Sequence, residues 1–257
     1  MTQKIGLNMY TLRDLCADVT SLEKTLASIR EIGYRYVQVS GLSKSDPETI
    51  AKSMRNNDLE ACATHLDWNS FLNDTDRVVK LHELYGTTHS AIGSLPGEYH
   101  SVEGIIRFSE EAAQVLPKIK QAGLDFSYHN HSHEFAHYDG RPWIDQVHER
   151  CSQLGMNFEI DTYWVVAGGA DPAEYLMRFS ESLAIVHVKD MIVTPSREQR
   201  YAPVGSGNLN WKRIFESIRS SPVDYVIVEQ DDHYADDPLV NVAQSFYFLE
   251  KSGFSAT

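Results

Sequence analysis

Four times in this chain a glycine closes a stretch of helical periodicity and opens a β-branched or aromatic run. The runs read Gly33-Tyr-Arg-Tyr-Val-Gln-Val39, Gly86-Thr-Thr-His-Ser-Ala-Ile92, Gly123-Leu-Asp-Phe-Ser-Tyr128 and Gly155-Met-Asn-Phe-Glu-Ile160. Glycine just past a helix takes the left-handed turn that ends it. A short apolar run bounded by turn residues is a strand. Followed along the chain, the rhythm predicts eight strands, near 5–10, 34–40, 59–65, 88–93, 125–130, 156–161, 183–188 and 223–229. Helices fall between and after them, near 20–32, 46–56, 72–84, 101–122, 141–153, 171–180, 208–220 and 237–251. Strand and helix alternating about every 30 residues make parallel strands and βαβ units. Eight units close into a (β/α)8 TIM barrel, which needs about 250 residues. The 257 residues here make one such α/β domain, 1–257. An open doubly wound sheet would carry a glycine-rich loop after its first strand. Here that position reads Tyr10-Thr-Leu-Arg-Asp14, with no glycine.

Local signals support the helices. Asp46-Pro47-Glu48 and Asp171-Pro172-Ala173-Glu174 each place Asp at the N-cap and Pro in the first turn. Leu22, Leu26 and Ile29 share one face of the first helix. The longest interruption, about 190–207, follows strand seven and should overhang the mouth of the barrel as a long loop.

Four strand-like runs end in metal-ligand chemistry. They are Phe126-Ser-Tyr-His129-Asn-His131-Ser-His133-Glu134, Phe158-Glu-Ile-Asp161, Ile185-Val-His187-Val-Lys189-Asp190 and Val226-Ile-Val-Glu229-Gln-Asp231. The C-terminal ends of parallel barrel strands meet at one mouth, where such barrels keep their chemistry. Each residue alone has a plainer reading. Asp161 could merely cap the next helix, and His187 could be a satisfied core histidine. Asp231 and Asp232 read as loop caps. Lys189 and Asp190 beside His187 shift the balance, because three polar groups at one strand end are expensive to bury without a shared site. Glu159 falls on the same side as Asp161 if the strand is regular, and His129 on the same side as His131.

Composition narrows the partners. A formal net charge of −13 opposes nucleic acid and anionic membrane. Cys16, Cys62 and Cys151 are sparse and show no CxxC spacing, as expected of reduced thiols. With no leader-like opening and no apolar run near about 18 residues, the expectation is a cytoplasmic protein.

These motifs resemble the xylose isomerase-like barrel superfamily of sugar phosphate isomerases/epimerases. The match runs through Ile5-Gly-Leu-Asn-Met-Tyr-Thr-Leu-Arg-Asp14, Tyr128-His-Asn-His-Ser-His-Glu-Phe135 and Asp161-Thr-Tyr-Trp164. It continues through Val186-His-Val-Lys-Asp190, Val204-Gly-Ser-Gly207 and Val228-Glu-Gln-Asp231. The resemblance implies one divalent cation at the mouth, held by Asp161, His187 and Glu229. The fourth ligand, from strand five, is usually a Glu at the strand end. Here His129-Asn130-His131 stands at that point, so either Glu134 reaches in as the fourth ligand or a histidine replaces it; Glu134 is preferred because a carboxylate better offsets the cation. A shell of three carboxylates and one imidazole favours Mn2+, with Mg2+, Co2+ or Zn2+ as alternatives. His129, His65, Lys189 and Trp164 are expected on the substrate, Trp164 replacing a histidine of many relatives.

The implied chemistry is proton abstraction next to a sugar carbonyl, with an enediolate stabilised by the cation. Glu229 is the expected base, His131 the fallback, and Lys189 the oxyanion stabiliser. Isomerisation or epimerisation is the leading outcome, and loss of a β-substituent from an inosose or keto-sugar is the runner-up. A non-catalytic sugar-binding or accessory subunit is the alternative of another class. A DNA-incising phosphodiesterase on this fold would need a multi-metal cluster and a basic face. A homodimer is an open expectation.

Overall fold

A computed structural model describes residues 3–257, leaving Met1 and Thr2 of the expected strand-leading opening outside it. Eight parallel strands close into a barrel. They are β1 (Lys4–Asn8), β2 (Tyr36–Val39), β3 (Glu60–Leu66), β4 (His89–Ile92), β5 (Asp125–His129), β6 (Asn157–Asp161), β7 (Leu183–Val188) and β8 (Tyr225–Val228). Each pairs with its sequence neighbours, and β8 closes on β1 with Lys4 opposite Tyr225.

The outer ring is α1 (Val19–Ile32), α2 (Pro47–Asn56), α3 (Thr75–Tyr85), α4 (Val102–Gln121), α5 (Trp143–Cys151), α6 (Pro172–Arg178), α7 (Trp211–Arg219) and α8 (Pro238–Lys251). Asp46 and Asp171 cap α2 and α6 as expected, their carboxylates accepting from Thr49 and Ala173.

Period-two alternation builds the site. Val37, Val39, Val186, Val188, Val226 and Val228 join the core cluster that also takes in Leu22, Leu26 and Ile29 of α1. The other parity stacks an apolar floor beneath polar groups: Tyr36 before Gln38, Ile185 before His187, Ile227 before Glu229. Both faces of these strands are buried, so they read as apolar runs broken only near their C-terminal ends.

Four segments depart from expectation. The first strand stops at Asn8, because Met9–Leu15 turns into a 3-10 helix capped by the Asn8 side chain. Short helices Trp68–Asn73 and Thr162–Ala167 follow β3 and β6. The 190–207 stretch is not structureless: Asp190–Val193 pairs antiparallel with Gln199–Ala202. Among the described residues, no helix is long and apolar enough to cross a membrane.

Candidate functional site

At the C-terminal ends of β5 to β8, His129, Asp161, His187 and Glu229 converge, all buried. One ligand atom from each lies within 4.8 Å of the others, the scale on which a cation bonded at about 2.1 Å to each ligand draws a site together. Asp161 has a divided role. Its Oδ1 accepts from the Trp164 backbone N–H at 3.0 Å, capping the short helix. Its buried Oδ2 has no hydrogen-bond partner, and neither does His129 Nε2, 3.6 Å away. Burial without a partner is costly, and an orphaned carboxylate oxygen facing an orphaned imidazole nitrogen is what a cation would satisfy. These residues therefore fit a metal.

The imidazoles are oriented from behind. His129 Nδ1 lies 3.3 Å from the Gly93 carbonyl; donating there leaves the Nε2 lone pair toward the cluster. Burial first, then His187 and His65, push His129 down to about 3, which keeps that lone pair unprotonated. His187 turns Nδ1 toward Glu229 (3.1 Å) and Nε2 toward Glu159 (2.8 Å) and Gln38 (2.7 Å). Burial alone would depress His187, but Glu159 and Glu229 outweigh it and raise it to about 10. Glu159, fully buried, also meets His65 Nε2 at 2.5 Å. Burial would raise Glu159, yet His187 and His65 hold it well below the usual range. A carboxylate behind a ligand histidine fixes its ring and strengthens it as a donor.

Glu229 is held on both oxygens. Asn8 Nδ2 donates to Oε1 at 2.7 Å, and Lys189 Nζ lies 3.2 Å from Oε2. Burial works against its charge, but Lys189 and then His187 keep it ionised. Asp161 goes the other way: burial, against the pull of Lys189, brings it up to about 6. Lys189 is fully buried and pairs with Asp231 at 2.7 Å as well as with Asp161 at 3.6 Å. Burial would strip its proton, but those three carboxylates hold it firmly. Its ammonium sits 4.9 Å from the Trp164 ring centre.

Above the cluster opens a cavity of about 390 Å³ lined by His65, His129, His131, Lys189, Glu229 and Asp231 among others, within the range of small-molecule sites. His131 Nδ1 is buried and without a partner. Trp164 does not line this cavity; it packs against His131, ring centres 5.3 Å apart.

Glu134, the expected fourth ligand, is not in the cluster. It sits in a 3-10 turn beyond β5, where Tyr128 Oη donates to Oε1 and the His131 backbone N–H to Oε2, each at 2.8 Å. These bonds turn it away from the barrel axis toward His133 and His100. His129 takes the strand-five position instead, because it is the last residue of the strand with inward parity. The sequence reading missed four contributors. Glu159 was visible in its i, i+2 spacing from Asp161. Asp231, read as a loop cap, belongs to the cavity wall. Asn8 and Gln38 reach the site from β1 and β2, and nothing local marks them.

An eight-stranded barrel with a metal-capable cluster at its mouth defines a class of α/β proteins. The family model of the xylose isomerase-like TIM barrel matches residues 26–252, and this chain belongs to that family. No curated protein sequence matches the chain. Among solved structures it is similar to a sugar phosphate isomerase/epimerase from Parabacteroides distasonis, with 20% identity over 97% of this chain and 94% of that one, TM-score 0.80. It is also similar to a D-allulose 3-epimerase from Methylomonas sp. solved with D-allulose, with 13% identity over 97% of each chain, TM-score 0.70. A probable 3-DHS dehydratase from Bacillus anthracis gives 13% identity over 96% of this chain and 99% of that one, TM-score 0.72.

Proposed function

We propose that the protein is a divalent-cation-dependent isomerase or epimerase of a small sugar, removing a proton next to a carbonyl. The observation that carries this reading is the buried orphan pair, Asp161 Oδ2 and His129 Nε2, beside a sugar-sized cavity whose wall includes His129 and Glu229. His129, Asp161, His187 and Glu229 would hold the cation, which would supply Lewis acidity for enolisation when bound. Two imidazoles with two carboxylates move the preference from Mg2+ toward Mn2+, Co2+ or Zn2+, and Mn2+ remains our first assignment.

The side chains divide the remaining work. Glu229 is ionised and reaches the cavity, so it is the base that takes the α-proton. Lys189 keeps its proton and donates a hydrogen bond to the oxygen on which charge develops. Asp231 orients that ammonium. Glu229, protonated by that step, returns the proton, and His131 on the cavity wall, pushed by burial down to about 3 and so unprotonated, is the fallback base. His65, fixed on Glu159, contacts a substrate hydroxyl. Trp164 acts from behind, bracing His131 and Lys189 rather than stacking on the sugar.

A second reading is elimination of a β-substituent. It draws on the imidazole at the end of strand five, which leaves the site without a symmetric pair of carboxylate bases. Incubation of Mn2+-loaded protein in D2O with ketoses, inososes and 3-keto-sugars tests both. Deuterium entering at the α-carbon supports proton abstraction, and loss of water or an aglycone identifies elimination. Sugar binding without any exchange across the panel would make the protein a binder instead.

A further inference from the structure

We infer that the substrate carries no phosphate: the cavity is built for an uncharged sugar. This rests on reading the cavity as a sugar site, and it follows from where the chain puts its anion-binding groups.

In barrels of this architecture the loops after strands seven and eight commonly supply the phosphate site, with glycine backbone N–H groups gripping the anion. Such a nest exists here after β7, and the chain's own Asp190 occupies it. Its carboxylate accepts from the backbone N–H groups of Met191 (2.8 Å), Gly205 (2.9 Å), Gly207 (2.9 Å) and Leu209 (3.3 Å), and from the Trp211 indole (2.7 Å). Asp190 is fully buried. The fit requires glycine: a Cβ on Gly207 would stand 2.4 Å from Asp190 Oδ1. The donors that would hold a phosphate thus hold a side chain instead.

Two cations at the mouth are engaged as well. Lys189, on the cavity wall, faces Asp161, Glu229 and Asp231. Arg13 donates from Nη1 to the Tyr10 carbonyl at 2.8 Å and from Nη2 to the Asp231 carbonyl at 3.0 Å. Asp67, exposed on the lip, lines the same cavity and stays ionised, its burial cost outweighed by bonds from Ser70. A divalent cation between Asp161 and Glu229 would be balanced by those two carboxylates. A phosphate arriving at this mouth meets the carboxylates of Asp67 and Asp231 while the wall's Lys189 is already paired, and such juxtaposition costs several kcal/mol.

The test is calorimetric titration of the Mn2+-loaded protein with matched pairs: a ketohexose against its 6-phosphate, and a ketopentose against its 5-phosphate. Within each pair that binds, the free sugar should bind at least about tenfold tighter, and millimolar inorganic phosphate should not weaken it. A phosphate ester that binds as tightly as its free sugar, or more tightly, overturns the inference. So does a panel in which no free sugar binds. Deuterium exchange, read in parallel, separates this from the proposed reaction: binding in the expected order without exchange sinks the isomerase reading and leaves the uncharged-ligand inference standing.

Discussion

Asp161 ends one strand of the barrel and Asp190 follows the next, and both are fully buried. Asp190 is saturated, with five donors shared over its two oxygens. Asp161 has one oxygen in a helix cap and the other without a hydrogen bond. The first aspartate finishes a loop. The second leaves a polar group unsatisfied in a place where that is expensive, and its neighbours His129 and Lys189 stop at 3.6 Å. Satisfaction, rather than burial or position in the sequence, distinguishes the structural carboxylate from the one available to a ligand.

Four experiments can break or sharpen that contrast. The largest effect belongs to the cluster. His187→Ala and Glu229→Gln should each lower cation affinity by more than about 100-fold, since loss of even an outer partner of a metal site typically costs 10–100-fold. Metal analysis of the purified variants checks this; full loading of both would refute the site. Next comes Asp190→Ala, which strands its backbone and indole donors in the interior and should cost about 3 kcal/mol of stability by denaturant titration. Cation affinity should stay at the wild-type level, and a parallel loss of both would erase the distinction between the two aspartates.

Third, His129→Ala should reduce cation affinity by about 100-fold, at least as much as loss of an outer partner, whereas Glu134→Gln should leave it within about threefold, because Glu134 is turned toward Tyr128 and the His131 N–H. Calorimetry with Mn2+ on the two variants decides which of them fills the strand-five position. The smallest effect concerns His82, a histidine satisfied on both nitrogens by Thr64 and Val78 and held below the ordinary imidazole value by burial. Its folded-state pKa lies below the unfolded one, so its contribution is full above about pH 6.5 and is lost as pH falls through the folded value. Stability should therefore decline below about pH 6.5, and more shallowly in His82→Gln. Equal slopes in the two proteins would show that His82 has no part in the acid response.

Much of the barrel was legible because its physics is local. Gly86 and Gly155 follow helical segments in the left-handed conformation, and each is succeeded by a strand with both faces buried. All eight strands fall within a few residues of their expected places. Asp161, His187 and Glu229 were legible for a related reason: each breaks or ends an apolar run, and parallel strands ending on one face must bring such residues together. The 190–207 segment was not legible, because its hairpin depends on the Asp190 carboxylate gathering donors as far away as Trp211.

The alternation of apolar strand and amphipathic helix, set by short-range periodicity, was enough by itself to determine the closed barrel and three of the four converging residues. Which side chain completes the cluster was decided only in three dimensions. Charge alone argued for Glu134 over His129, but inward parity at the end of β5 and the competing bonds from Tyr128 and the His131 N–H reversed that order. The same holds for Asn8, Gln38 and Asp231, which join the site from β1, from β2 and from the loop after β8. No periodicity links residues so far apart in sequence; closing the barrel does.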